Sequence, residues 1–101
     1  MKLPSPTEMA LLEVLSEHGE LAGREVAKQF KAETGKTISY GTLYTTLRRL
    51  KEQGWVASRD DEDEDGRVRF FSLEPSGRAT LNAAKRYEKV ASGLQWKPRF
   101  A

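Results

Sequence analysis

Apolar residues recur at a helical spacing in three blocks, give way to near alternation, and return to a helical spacing at the end of the chain. The first block holds Met9, Ala10, Leu11, Leu12, Val14 and Leu15. Ser5, Pro6 and Glu8 precede it at capping-box spacing, with proline at the first helical position, and Gly19 follows. This predicts a helix from Pro6 to about His18. A second helix is predicted from about Gly23 to Glu33, with Val26, Ala27 and Phe30 inward and Gly35 as its stop. Lys36-Thr37-Ile38 reads as a short extended piece. Ser39 then caps a third helix, ending near Gln53, whose Leu43, Leu47 and Leu50 fall at i, i+4 and i+7.

Gly54 closes that helix, and the period changes. Trp55–Arg59 and Arg67–Leu73 read as two strands of a hairpin. Between them lie the acids of 60–65 and Gly66, predicted as a long, polar, mobile tip. Phe71 and Leu73 share the face that anchors the hairpin on the core, and Arg67 and Arg69 have the same parity nearer the tip. Pro75 opens a fourth helix, running to Ser92 or a little beyond, in which Ala83, Tyr87, Val90 and Leu94 are spaced 4, 3, 4 as in a heptad seam. Helices 1 to 3 are expected to close the core by themselves. That seam is therefore expected to meet a second chain.

Helix 1 is apolar on more than one side, so Leu11, Leu12 and Leu15 are expected to join the same interface. Packing of the seam on its own domain is the other reading. The element order is that of a winged helix-turn-helix. The expected class is α+β, mainly α, with a three-helix core, a two-stranded wing and a C-terminal dimerisation helix. The expected division is 1–74 for the winged domain, 75–94 for the helix and 95–101 for the tail. In the tail, Trp96 reads either as a cover for the helix end or as a wall of a ligand pocket.

Charge sharpens this picture. The chain has 101 residues and a net charge of +2, with 17 basic and 15 acidic residues. Six of those acids are consecutive, at positions 60–65, so the rest of the chain is strongly basic. A basic body favours a polyanionic partner. The acid run lacks the ligand offsets of a calcium loop. With no Cys and one His, disulfides and finger-type zinc sites are excluded, and no metal or cofactor is expected. Glu8 and Glu13 interrupt the first apolar block, so no signal-peptide core is expected there. No stretch approaches a membrane span, and a cytoplasmic location is expected.

No Gly-rich phosphate loop or Ser/His/Asp set is evident, and His18 reads as a charge partner at a helix end rather than a catalyst. The chemistry lies on helix 3. Its polar side carries Tyr40, Thr42, Thr45, Arg48 and Arg49, and no carboxylate until Glu52. Hydroxyls and guanidiniums are the donors that duplex DNA accepts at phosphates and base edges. The expected DNA contacts are Ser39, Tyr40, Thr42, Tyr44, Thr45, Arg48 and Arg49 on helix 3, with Arg67 and Arg69 on the wing.

Tyr40-Gly41-Thr42-Leu43-Tyr44, followed by Leu47, Arg49-Leu50 and Gly54, resembles the core signature of the PadR-like transcriptional regulators. Gly19-x-Leu21-x-Gly23 resembles that family's approach to helix 2, and Arg69-Phe70-Phe71-x-Leu73-x-x-x-Gly77 resembles its second wing strand and the turn after it. The chain departs from the pattern at Ala22, Arg24, Val68, Phe70-Phe71 and Glu74. The resemblance implies a dimeric regulator of transcription, usually a repressor, that binds double-stranded DNA and pairs through helices 4 and 1. Some members bind flat apolar effectors between subunits, the role in which Trp96 would serve. A different reading remains open from the residues alone: a winged-helix protein-interaction module that presents its acidic wing tip to a basic partner.

Overall fold

The computed structural model describes the backbone of residues 3–96 and the side chains of residues 3–88. Helix α1 (Pro6–His18) leads into a two-residue strand β1 (Leu21–Ala22), then α2 (Gly23–Thr34) and α3 (Tyr40–Glu52). Strands β2 (Val56–Asp63) and β3 (Gly66–Leu73) form the hairpin, and α4 (Pro75–Trp96) ends the described chain.

Each helix start is explained by its own residues. Ser5 Oγ accepts from the Glu8 N–H at 3.2 Å, and Glu8 Oε1 accepts from the Ser5 N–H at 2.8 Å, a complete capping box. Ala22 has no side-chain acceptor to offer α2, but Glu25 Oε1 still accepts from the Ala22 N–H at 3.2 Å. Ser39 Oγ accepts from the Thr42 N–H at 3.2 Å and begins α3. Thr46, buried in the middle of α3, satisfies its hydroxyl by donating to the Thr42 carbonyl at 2.7 Å.

The core is centred on α1. Leu11, Leu12 and Val14 are wholly buried and Leu15 is 1% exposed, packed with Val26 and Phe30 of α2 and with Leu43, Leu47 and Leu50 of α3. Each such side chain contributes about 1.5–3 kcal/mol by leaving water. This corrects the expectation that Leu11, Leu12 and Leu15 meet a second chain: their surface is consumed within this one. It also corrects the expectation that three helices complete the core. Leu81 and Ala84 of α4 are buried in it as well.

The attachment of α4 depends on Gly77. A Cβ there would overlap the Trp55 carbonyl and crowd Leu73, and that carbonyl also accepts from the Glu74 N–H at 2.9 Å. Lys85 pairs with Glu13, and Arg78 Nη1 donates to Ser16 Oγ at 3.1 Å, so two polar contacts tie α4 to α1. Helix α4 continues past the expected boundary at 94 to Trp96. The side chains of Val90, Leu94 and Trp96, and the tail 97–101, lie outside the described residues.

The sheet holds three strands, not two, in the order β1-β3-β2, all antiparallel. Leu21 and Ala22 pair with Phe71 and Phe70. The acid run differs most from expectation. Asp60, Asp61, Glu62 and Asp63 are ladder residues of β2, opposite Arg69, Val68, Arg67 and Gly66. Only Glu64 and Asp65 form the turn, and Gly66 follows at φ +113°. Opposite charges directly across an antiparallel pair favour this ladder over a free loop.

Candidate nucleic-acid interface

Helix α3 buries Leu43, Thr46, Leu47 and Leu50 and turns its other side outward. That outward side and the hairpin enclose an open groove of about 440 Å³, lined by Tyr44, Thr45, Arg48 and Lys51 of α3 and by Ser58, Arg69 and Phe71 of the strands. The base of the groove is apolar at Phe71, and its walls are hydroxyls and cations.

Of the residues expected from the sequence, the structure brings Tyr44, Thr45, Arg48 and Arg69 together here. Tyr44 has a second task. Its ring lies 6.2 Å from that of Phe71, and its hydroxyl occupies the space that a Cβ on residue 23 would need. Tyr40, 58% exposed, stands 6.4 Å from Tyr44 toward the start of α3. Arg67 lines a neighbouring concavity with Arg24, Tyr44 and Arg69.

Ser39, Thr42 and Arg49 are not part of the groove. The Ser39 hydroxyl caps α3 and donates to Thr42 Oγ1 at 3.0 Å. Thr42 faces Thr7 and Phe30, on the side toward α1. Arg49 Nη1 lies 3.9 Å from Glu8 Oε2, the carboxylate that caps α1.

Sequence reasoning missed Lys51 and Ser58. Lys51 was legible, three residues after Arg48 on the same helical side. Ser58 was not, because its position depends on its register opposite Phe71.

The ion pairs of the hairpin join its charged residues to one another and to Glu20 and Arg24 beside it. Arg69 Nε donates to Asp60 Oδ1 at 2.9 Å. That hydrogen bond, with the charges of Arg69, Arg67 and Lys51, holds the Asp60 carboxyl below its ordinary value. The reciprocal contact pushes the Arg69 guanidinium up. Arg59 donates to Glu20 at 2.6 and 2.7 Å and to Asp61 at 2.7 Å, and its guanidinium lies 4.8 Å from the Phe70 ring centre. Hydrogen bonding to Arg59 lowers both Glu20 and Asp61, while the two carboxylates raise Arg59. Among the described residues, Arg48, Lys51 and Arg67 have no ion pair. The groove therefore offers two uncommitted cations, Arg48 and Lys51, and one, Arg69, shared with a carboxylate, while Arg67 stands uncommitted in the neighbouring concavity.

No described helix is long and apolar enough to cross a membrane. None of the curated proteins matches the chain. Among solved structures, it is similar to a PadR family transcription regulator from Clostridium difficile, with TM-score 0.77 and 21% identity over 89% of this chain and 94% of that one. A transcriptional regulator from Clostridium thermocellum gives TM-score 0.76 and 22% identity over 90% and 87%. Bacillus subtilis PadR, solved in complex with operator DNA, gives TM-score 0.67 and 25% identity, over 75% of this chain and 45% of that longer one. The model of the transcriptional regulator PadR-like family matches residues 11–83, through the core, the outward helix and the hairpin. The chain belongs to the PadR-like family of transcriptional regulators.

Proposed function

We propose that this chain is a homodimeric, sequence-specific DNA-binding repressor that lays α3 in the major groove and acts by binding, without catalysis, in the cytoplasm. The observation that carries the reading is the outward side of α3, where Thr45, Arg48 and Lys51 stand beside Ser58 across an open groove. Hydroxyls reach base edges there and the cations take the flanking phosphates. The operator complex of Bacillus subtilis PadR supports the same partner.

Tyr40 reaches phosphate from the start of α3, and Arg67 from the wing. Arg69 contributes only as far as Asp60 releases it. Ser39 and Thr42 position the helix.

Pairing of two chains is assigned to the free side of α4. Ala83 is half-buried and Tyr87 is 59% exposed, beside the surface that Lys85 and Glu13 hold together. The protein-interaction reading has less to work with. Asp60, Asp61, Asp63 and Asp65 face arginines of the same chain.

Selection of bound sequences from a random duplex pool tests the proposal. A recovered consensus that binds with a steep inverse salt dependence supports it, because displaced counterions accompany every phosphate contact. Binding to no duplex at any salt concentration overturns it.

A further inference from the structure

Helix α2 carries a second row of cations on its outer side. Arg24, Lys28 and Lys31 stand at i, i+4 and i+7, and all three are exposed. Of the carboxylates of α2, Glu33 lies 3.3 Å from His18, and Glu25 accepts from the Ala22 N–H while also lining the concavity that holds Arg24 and Lys28. Lys28 and Lys31 have no ion pair among the described residues. The row opens onto the start of α3, where Tyr40 shares one shallow concavity with Arg24 and Lys28 and another with Lys31.

Arg24 differs from the two lysines. Its guanidinium lies 3.8 Å from Asp63 Oδ2 and 3.9 Å from Asp65 Oδ2, at the tip of the hairpin. These are charge contacts longer than hydrogen bonds, and the Arg24 side chain is 62% exposed.

We propose that the outer side of α2 is a second, sequence-independent phosphate track for the same duplex, and that the acidic wing tip withholds its third cation. The proposal rests on the DNA reading above. Lysine ammoniums on flexible stems are point charges suited to phosphate and carry no base code. Seven residues of helix at 1.5 Å each span about 10.5 Å, the axial length of about three phosphates of one strand. The Tyr40 hydroxyl supplies a further donor at the junction with α3. Carboxylate and phosphate compete for the same guanidinium. Asp63 and Asp65 therefore take the place of a phosphate at Arg24, and two of the three cations are free to bind.

The test measures binding of the full chain to a fluorescent random-sequence duplex across a salt series. Lys28→Gln with Lys31→Gln should make the log–log salt slope shallower by about 1.8, from two lost contacts at about 0.9 each. The sequence consensus should be unchanged. Asp63→Asn with Asp65→Asn should steepen the slope by about 0.9, and adding Arg24→Gln should cancel that gain. Circular dichroism melts establish that each variant is folded. A parent that binds while the lysine pair leaves its slope unchanged overturns the track. An unchanged slope after the aspartate pair overturns the withholding of Arg24. A parent that binds no duplex overturns the DNA reading itself, a result distinct from both.

Discussion

Arg69 and Asp60 are cross-strand partners, and one guanidinium N–H of Arg69 points at the Asp60 carboxylate at 2.9 Å. A basic residue expected to hold DNA is thus already holding an acid. The hairpin carries its own anion.

That pair titrates with a definite sign. Asp60 has an ordinary value of 3.8 and is lowered in the fold, so its contribution is present above 3.8 and is lost as pH falls through its lower folded value. Glu20 and Asp61, ordinarily 4.5 and 3.8, behave alike because Arg59 holds both down. NMR titration of the three carboxyl carbons should give midpoints below those values. Arg69→Ala should raise the Asp60 midpoint and leave Glu20 unmoved. A midpoint for Asp60 that ignores the substitution would contradict the pairing.

Arg48 and Arg49 are neighbours with different work. Arg48 lines the groove, whereas Arg49 faces Glu8. Arg48→Ala should reduce the salt slope of duplex binding by about 0.9. Arg49→Ala should leave the slope alone and cost less than about 1 kcal/mol of stability, as expected of a long contact made by a half-exposed arginine. Salt titrations and urea unfolding of both variants check this, and equal slopes for the two would refute the distinction.

Two core changes should separate packing from backbone contact. Leu47 is wholly buried, so Leu47→Ala should cost about 2–5 kcal/mol. Gly77→Ala adds only one carbon, but it meets the Trp55 carbonyl, and overpacking of that kind costs about 1–3 kcal/mol. Urea unfolding should show both losses. A neutral Gly77→Ala would mean that α4 shifts freely on the hairpin.

Tyr87 tests the assignment of pairing to α4. Sedimentation of the parent should give a dimer at micromolar concentration, and Tyr87→Asp should give a folded monomer, because an interface would bury the new carboxylate without a partner. A parent that sediments as a monomer at high concentration defeats the assignment.

Helices α1 and α3 were legible because capping residues, glycine stops and the leucine period agree locally, and α2 from its apolar face at Val26, Ala27 and Phe30 and its stop at Gly35. The hairpin was half legible. Phe71 facing inward followed from alternation, but six consecutive acids resemble a solvated loop. The strand conformation of residues 60–63 depends on Arg67 and Arg69, which stand opposite only once the register exists. Strand β1 is two residues long, too short to display any period. The placement of Leu11, Leu12 and Leu15 failed for a related reason. An apolar helix advertises two contacts without saying that α4 of the same chain supplies one of them, through Leu81 and Ala84.

Because those leucines are enclosed by their own chain, their burial does not wait on any assembly. Among the described residues, a lone subunit already encloses its apolar core. Its melting temperature at high dilution is then a property of one chain, independent of concentration. If subunits pair through α4, as proposed above, they would trade partners without unfolding.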